Sequence, residues 1–203
     1  MSKVAISGNA SGTGTLTIAA PNTNSNRTLN LPDGSGTFTV NGVNSNIVSG
    51  TVVASTSGTS ITFTGIPSWV KRVTANITGV STNGTSNLRF RIGPVAGVET
   101  SGYLGTTTGF AASSLASIQF TAGFDVNDAG TAASVRNGSF IFSLLDSTTN
   151  TWAVQGCMGQ SNSNVSAFVG GSKPLAGSLS VLSMTTVNGT DTFDAGSINI
   201  LYE

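Results

Sequence analysis

Histidine is missing altogether from this chain of 203 residues. Its absence removes the commonest general base near neutral pH and the commonest neutral metal ligand. Serine–histidine catalysis, cysteine–histidine catalysis and zinc sites built from cysteine and histidine are excluded within these residues. Charge is scarce too: 8% of residues are charged and the formal net charge is zero, where a soluble domain carries about a quarter charged residues. The eight Lys and Arg are scattered, so no basic stripe offers itself to a nucleic acid. A surface made instead of Thr, Ser, Asn and Gly can be buried between subunits without desolvating charge, and interface cores share that depletion. The single cysteine, Cys157, rules out an intrachain disulfide. As a small apolar residue it is expected in the core, with an exposed or interchain thiol as the alternative. No run is long and apolar enough to cross a membrane. The opening MSKVAISGNA has one lysine and no continuous apolar run, so an export signal of the usual kind is not expected.

What is present is strand patterning. Within the first 42 residues TLTIAA, RTLNLP and GTFTVN alternate apolar and small polar residues: Leu16 and Ile18, Leu29 and Leu31, Phe38 and Val40. PNTNSN and DGS join them, with Pro21, Pro32, Asp33 and Gly34 as turn formers. Such a meander is too small to bury its apolar residues against itself. It is expected to pack on a partner, and another copy of the same chain is the simplest one. Residues 1–46 form this first region, with Asn44, Ser45 and Asn46 as a short hinge.

Residues 47–203 form the second region. Its strand candidates are IVSGTVVA, SITFTG, VKRVTANITGV, NLRFRIG, SLASIQFTAGF, SVRNGSFIFSLL, TWAVQG, SLSVLSMTTV and GSINILYE. Turn signals at Asn83–Gly84, Asn127–Gly130 and Asn188–Gly189 separate several of them. Many short strands at similar spacing predict an all-β domain, a jelly-roll-like β-sandwich. No window sustains a helical period, although FAASSLASIQF could form one turn of helix as readily as a strand or loop. Leu88, Phe90 and Ile92 share a face, as do Ile198, Ile200 and Tyr202. In GSFIFSLLDS, Phe140, Phe142 and Leu144 lie opposite Ile141 and Leu145, and a strand apolar on both faces is expected to be buried on both.

Candidates for chemistry are few. Asp125/Asp128 and Asp191/Asp194 are carboxylate pairs with a spacing of three, but both fall at turns, where aspartate serves the local backbone. A glycosidase would need two carboxyl groups flanking a groove, and a calcium site more oxygen ligands than either segment offers. Segments such as GTGT and SGTSG lack the lysine and helix of a phosphate loop. Arg89 and Arg91, side by side on one strand face, suit either an acidic partner or simple solvation. Trp69 and Trp152 could each stack on a sugar ring; the area such rings bury favours core or interface instead. No catalytic, cofactor-binding or metal-binding residue is assigned, no cofactor is expected, and receptor-binding residues are not specified.

The stretch TLTIAAPNTNSNRTLNLPDGSGTF resembles one common in tailed-phage tail fibres and related virion proteins: an LTI-apolar-Pro strand, an Asn-rich loop, a TLxLP strand and a Gly-Thr-apolar strand. ITFTGIPSWVKRVT, GVSTNGTSN, ETSGYLG and TVNGTDTFDAGSINILYE are similar to the C-terminal domain of such proteins. The resemblance implies a homotrimeric, non-enzymatic virion protein: a short tail fibre mediating attachment to the host surface. Its implied partners are its own copies, other virion proteins of tail, baseplate or capsid, and a host surface glycan or protein. Nucleic acid and membrane insertion are not implied. A capsid decoration or head-fibre protein is the first alternative and a polysaccharide-degrading tailspike the second.

Overall fold

The computed structural model describes residues 11–13, 24–26, 47–112 and 114–203. The chain divides into two compact units, Met1–Val43 and Asn44–Glu203. The three N-terminal strand candidates and the Asn-rich hinge lie outside the described residues.

The second unit is all-β, and no helix occurs among the described residues. Its strands are β1 Val48–Ser49, β2 Val53–Ala54, β3 Ser60–Phe63, β4 Arg72–Thr82, β5 Leu88–Gly93, β6 Leu104–Ala111, β7 Ser114–Phe120, β8 Phe124–Val126, β9 Arg136–Asp146, β10 Thr151–Gln160, β11 Val165–Pro174, β12 Val181–Thr186 and β13 Phe193–Tyr202. They form two antiparallel sheets. The larger runs β1-β13-β4-β9-β10-β11-β6-β7, with β2 also paired to β13; the smaller runs β3-β12-β5-β8. The chain passes repeatedly between the sheets; among the described residues β6–β7 and the run β9–β10–β11 are neighbours in both sequence and sheet.

Each strand candidate in this region contains at least one strand. FAASSLASIQF, open to a helical turn, holds the end of β6 and all of β7, and SLASIQFTAGF runs from β7 in the larger sheet to the first residue of β8 in the smaller. Two strands are not among the sequence candidates. β6 reads LGTTTGFA and β11 reads VSAFVGGSKP. They pair with each other over eight residues, from Val165–Ala111 to Ser172–Leu104. In β11 Ala167 and Val169 face the core, while β6 has mostly Gly and Thr and takes its place from the ladders on either side.

The core lies where the inner faces of the two sheets meet. Phe90 on β5 stacks 4.5 Å from Phe140 and 6.0 Å from Phe142, both on β9. Phe124 on β8 contacts Phe142, Phe120 and Tyr103 at ring distances of 5.8, 5.7 and 4.9 Å. Tilted and edge-to-face arrangements of this kind are the favourable ones for aromatic quadrupoles. Leu88, Phe90 and Ile92 are fully buried, and Ile198 and Ile200 nearly so. One backbone device holds the larger sheet in register: β13 slips against β4 on either side of Ala195. There Gly79 and Gly196 both take positive φ, +65° and +93°, and a Cβ on Gly196 would collide with the backbone of Gly79. Two facing glycines are what such a bulge requires.

Strand β9 corrects one expectation. Phe140 and Phe142 are buried as expected, but Ile141 is only half-buried and Leu145 is 72% exposed. The strand is apolar on both faces, yet one face is open. Cys157, expected inside, is exposed on β10. Its register partners are Phe168 and Ser139, so it belongs to the open face that Ile141 shares.

Candidate functional site

The two tryptophans part company. Trp152 on β10 is 2% exposed and belongs to the core, whereas Trp69 is 52% exposed. The reason is local. In the IPSWV segment Ile66 and Val70 are buried and pin both ends of the loop, and the Val70 N–H donates to the Pro67 carbonyl at 3.1 Å. That bond closes a β-turn with Ser68 and Trp69 at its tip, so the ring is lifted off the body.

Beneath Trp69 the last strand ends. Tyr202 on β13 lies opposite Val73 of β4 and Val48 of β1, and its ring is 6.0 Å from Trp69 at an interplanar angle of 53°. Glu203 is fastened to the start of β4. Its carbonyl accepts from the Lys71 and Arg72 N–H groups at 2.7 and 2.9 Å, and its own N–H donates to the Arg72 carbonyl at 3.0 Å. The Arg72 guanidinium and the Glu203 carboxylate form an ion pair, with the arginine half exposed. Two hollows flank Tyr202. A small one, about 60 Å³, is lined with Ile47, Arg72, Thr74, Leu201 and Glu203. A larger one, about 300 Å³, is lined on its other side by β3 and the residues around Gly50 and Ile66. The result is an exposed tryptophan over a partly buried tyrosine, between shallow hollows and beside a charged donor and acceptor and several threonine hydroxyls.

Chemically this arrangement can stack and hydrogen-bond. Aromatic faces take up the C–H faces of a sugar or an apolar side chain, while Arg72, Glu203 and the hydroxyls supply directional contacts. The only carboxylate at this place, Glu203, is already engaged with Arg72, and a carboxylate held in an ion pair is poorly placed to act as a general acid.

The remaining candidates are dispersed. Asp125 pairs with Arg89, whose Nε and Nη2 reach its two oxygens at 2.5 and 2.9 Å. Asp128 instead meets Arg136 through Nε at 2.5 Å, with both side chains fully buried. Thus Asp125 and Asp128 do not face one site, and Arg89 is neither solvated nor free to meet an acidic partner. Arg91 donates to the Ala122 carbonyl at 2.9 Å. Asp191 accepts from Asn188 Nδ2 at 2.6 Å and from the Ser86 N–H at 2.9 Å; these bonds, the asparagine's first, hold its carboxyl below the usual range. Among the described residues no three His, Cys, Asp or Glu side chains are grouped to hold a metal ion.

Sequence reasoning singled out Trp69 but missed its partners. Tyr202 reads as a core position from its alternation with Ile198 and Ile200 and does pack partly buried against the core, but its meeting with Trp69 is not legible, and Arg72 and Glu203 carry no motif. Comparison with protein families, curated proteins and solved structures gives no match for this chain.

Proposed function

We propose that this chain is a non-enzymatic virion protein of a tailed phage: a short homotrimeric tail fibre that attaches the particle to the host surface. In this reading residues 1–46 are the β-meander that trimerises or docks, and residues 47–203 are a jelly-roll-like sandwich presenting the contact site. The observation that carries the attachment role is the Trp69–Tyr202 pair, 6.0 Å apart, with Trp69 held at a turn tip. Trp152 and the phenylalanine cluster fill the core, whereas Trp69 keeps half of its surface open beside Tyr202, where a ring can stack on a ligand. The likeness of the N-terminal segment to fibre proteins supports the setting, and the scarcity of charge supports assembly from copies. The ligand class that suits the site is a surface glycan, bound by stacking and hydrogen bonds. Weak single sites become firm attachment when several act on one particle.

The test is adsorption. Purified full-length protein should compete with the phage for host cells, and Trp69→Ala should lose most of that competition while keeping its fold by circular dichroism. Equal competition by wild type and variant would sink the site. Electron microscopy that finds the protein only on capsid faces or vertices would sink the tail-fibre reading. Shortened host polysaccharide after incubation would overturn the non-enzymatic one.

A further inference from the structure

The outward face of the larger sheet has a composition that a solvated surface rarely has. Strand register places its side chains in rows that cross seven strands, β13, β4, β9, β10, β11, β6 and β7. The row through Cys157 runs from Asn199 through Asn76, Ser139, Phe168 and Thr108 to Ser117. The row beside it, through Gln155 and Ile141, runs from Leu201 to Gln119. Neither row contains a charged residue. Arg72, at one end of the face, is already paired with Glu203.

Apolar groups run obliquely across this uncharged ground. Phe110 and Phe168 meet edge to face at 5.5 Å, 43% and 53% exposed. Leu115 lies opposite Phe110 and is 66% exposed. Next to Phe168 a shallow hollow of about 360 Å³ opens between Ile141, Gln155 and Cys157. Seven strands at 4.7–4.9 Å spacing and about eight residues at about 3.3 Å rise give this face roughly 800 Å². That matches the share of about 800 Å² that each partner contributes to a stable interface.

We propose that this face is the surface through which copies of the chain associate, burying the Phe110–Phe168 ridge and the hollow beside it. A second copy is the occupant because the central rows of the face have no charge with which to select a nucleic acid or an acidic or basic protein. Association with its own kind also strands no buried charge, and subunit interfaces in homo-oligomers are apolar and charge-depleted in this way. The choice of partner rests on the homotrimer reading above; the location of the surface rests on the register and exposure of these strands alone.

The experiment uses the full-length chain, with sedimentation and thiol labelling of Cys157 as readouts. The expected result has three parts. Wild type sediments at a multiple of the 20.3 kDa chain mass. Cys157 reacts with a maleimide at least tenfold more slowly than in denaturant. Phe168→Glu and Gln155→Lys each shift the protein to monomer with unchanged circular dichroism, while Val187→Glu, a charge placed at an exposed loop residue, leaves the assembly intact. Should the wild type be oligomeric but Cys157 react at once and both face variants remain assembled, this surface is wrong and the homotrimer reading survives. A wild-type monomer overturns both. Labelling of the wild type needs no variant to fold, so it decides the matter even if Phe168→Glu aggregates.

Discussion

The two sheets each turn one face away from the shared core, and the two faces are built on opposite rules. On the four-stranded sheet the outward side chains are closed over one another. Arg89 and Asp125 are buried as a two-point pair, Ser183 shares a hydrogen bond of 2.9 Å with Thr62, and Thr185 donates to the Thr59 carbonyl at 2.8 Å. On the larger sheet the central outward side chains are uncharged and open, with Phe168, Phe110 and Leu115 exposed. Charge in this unit is therefore spent on internal pairs, such as Arg89–Asp125, Arg136–Asp128 and Lys173–Glu99. Low overall charge does not mean few electrostatic constraints. It means that the few charges sit where their loss is felt by the fold, and that a broad face is left with none.

The largest effect is expected inside. Arg136→Met leaves Asp128 buried without its cation, and losing one partner of a buried pair costs about 3–5 kcal/mol. Chemical denaturation should show that loss, and the double change Asp128→Leu with Arg136→Met should recover most of it. If the single variant stays within about 1 kcal/mol of wild type, the contrast between costly internal charge and an indifferent open face fails.

A smaller effect comes from Tyr103, fully buried behind β5. Its hydroxyl accepts from the Ile92 N–H at 3.0 Å, and its one proton lies between the Ile92 and Glu99 carbonyls, 3.0 and 2.9 Å away. Burial pushes its pKa up to about 12, partly offset by the bond to the Ile92 backbone. A raised folded-state value means that the unfolded chain gives up this proton first, near pH 10. Stability is thus intact below pH 10 and falls as pH rises towards 12, by roughly 2–3 kcal/mol from this group. Thermal melts of wild type and Tyr103→Phe across that range should converge as pH rises; parallel curves would contradict the assignment.

On the open face Ile141→Thr should lower the folding stability of a dissociated subunit by no more than about 1 kcal/mol, because the side chain is only half-buried. The same change should weaken association measurably by sedimentation. Trp69→Ala is also expected to lower stability by under about 1 kcal/mol yet to abolish most host-cell competition. A large loss of stability there would recast Trp69 as structural and remove it from the site.

Much of the strand content was legible because alternation survives in the sequence wherever one face is buried. NLRFRIG and SINILYE place Phe90 and Ile198 inward without ambiguity. The strands that escaped notice are LGTTTGFA, with Gly and Thr where apolar residues would alternate, and VSAFVGGSKP, whose alternation of Val165, Ala167 and Val169 breaks off at Gly170–Gly171. Their inward positions need little bulk where the Phe120 ring fills the space: a Cβ on Gly171 would meet that ring at 2.9–3.0 Å. Apolar residues on both faces of GSFIFSLLDS pointed to burial on both, because local pattern carries no count of how many layers the fold will have. Likewise NLRFRIG shows two arginines facing away from the core, but not that Asp125, thirty-six residues after Arg89, closes over the first of them.

The sequence by itself determined the class of fold, the scarcity of charge, the lack of imidazole chemistry and the inward face of most strands. These follow from side-chain chemistry and the period-two alternation of a strand, both local properties. The tertiary structure alone decided which apolar residues stay outside, which charges neutralise one another, and which tryptophan remains available. Each of those depends on what the chain brings alongside from far away, and pairing between distant strands is not written in any single segment.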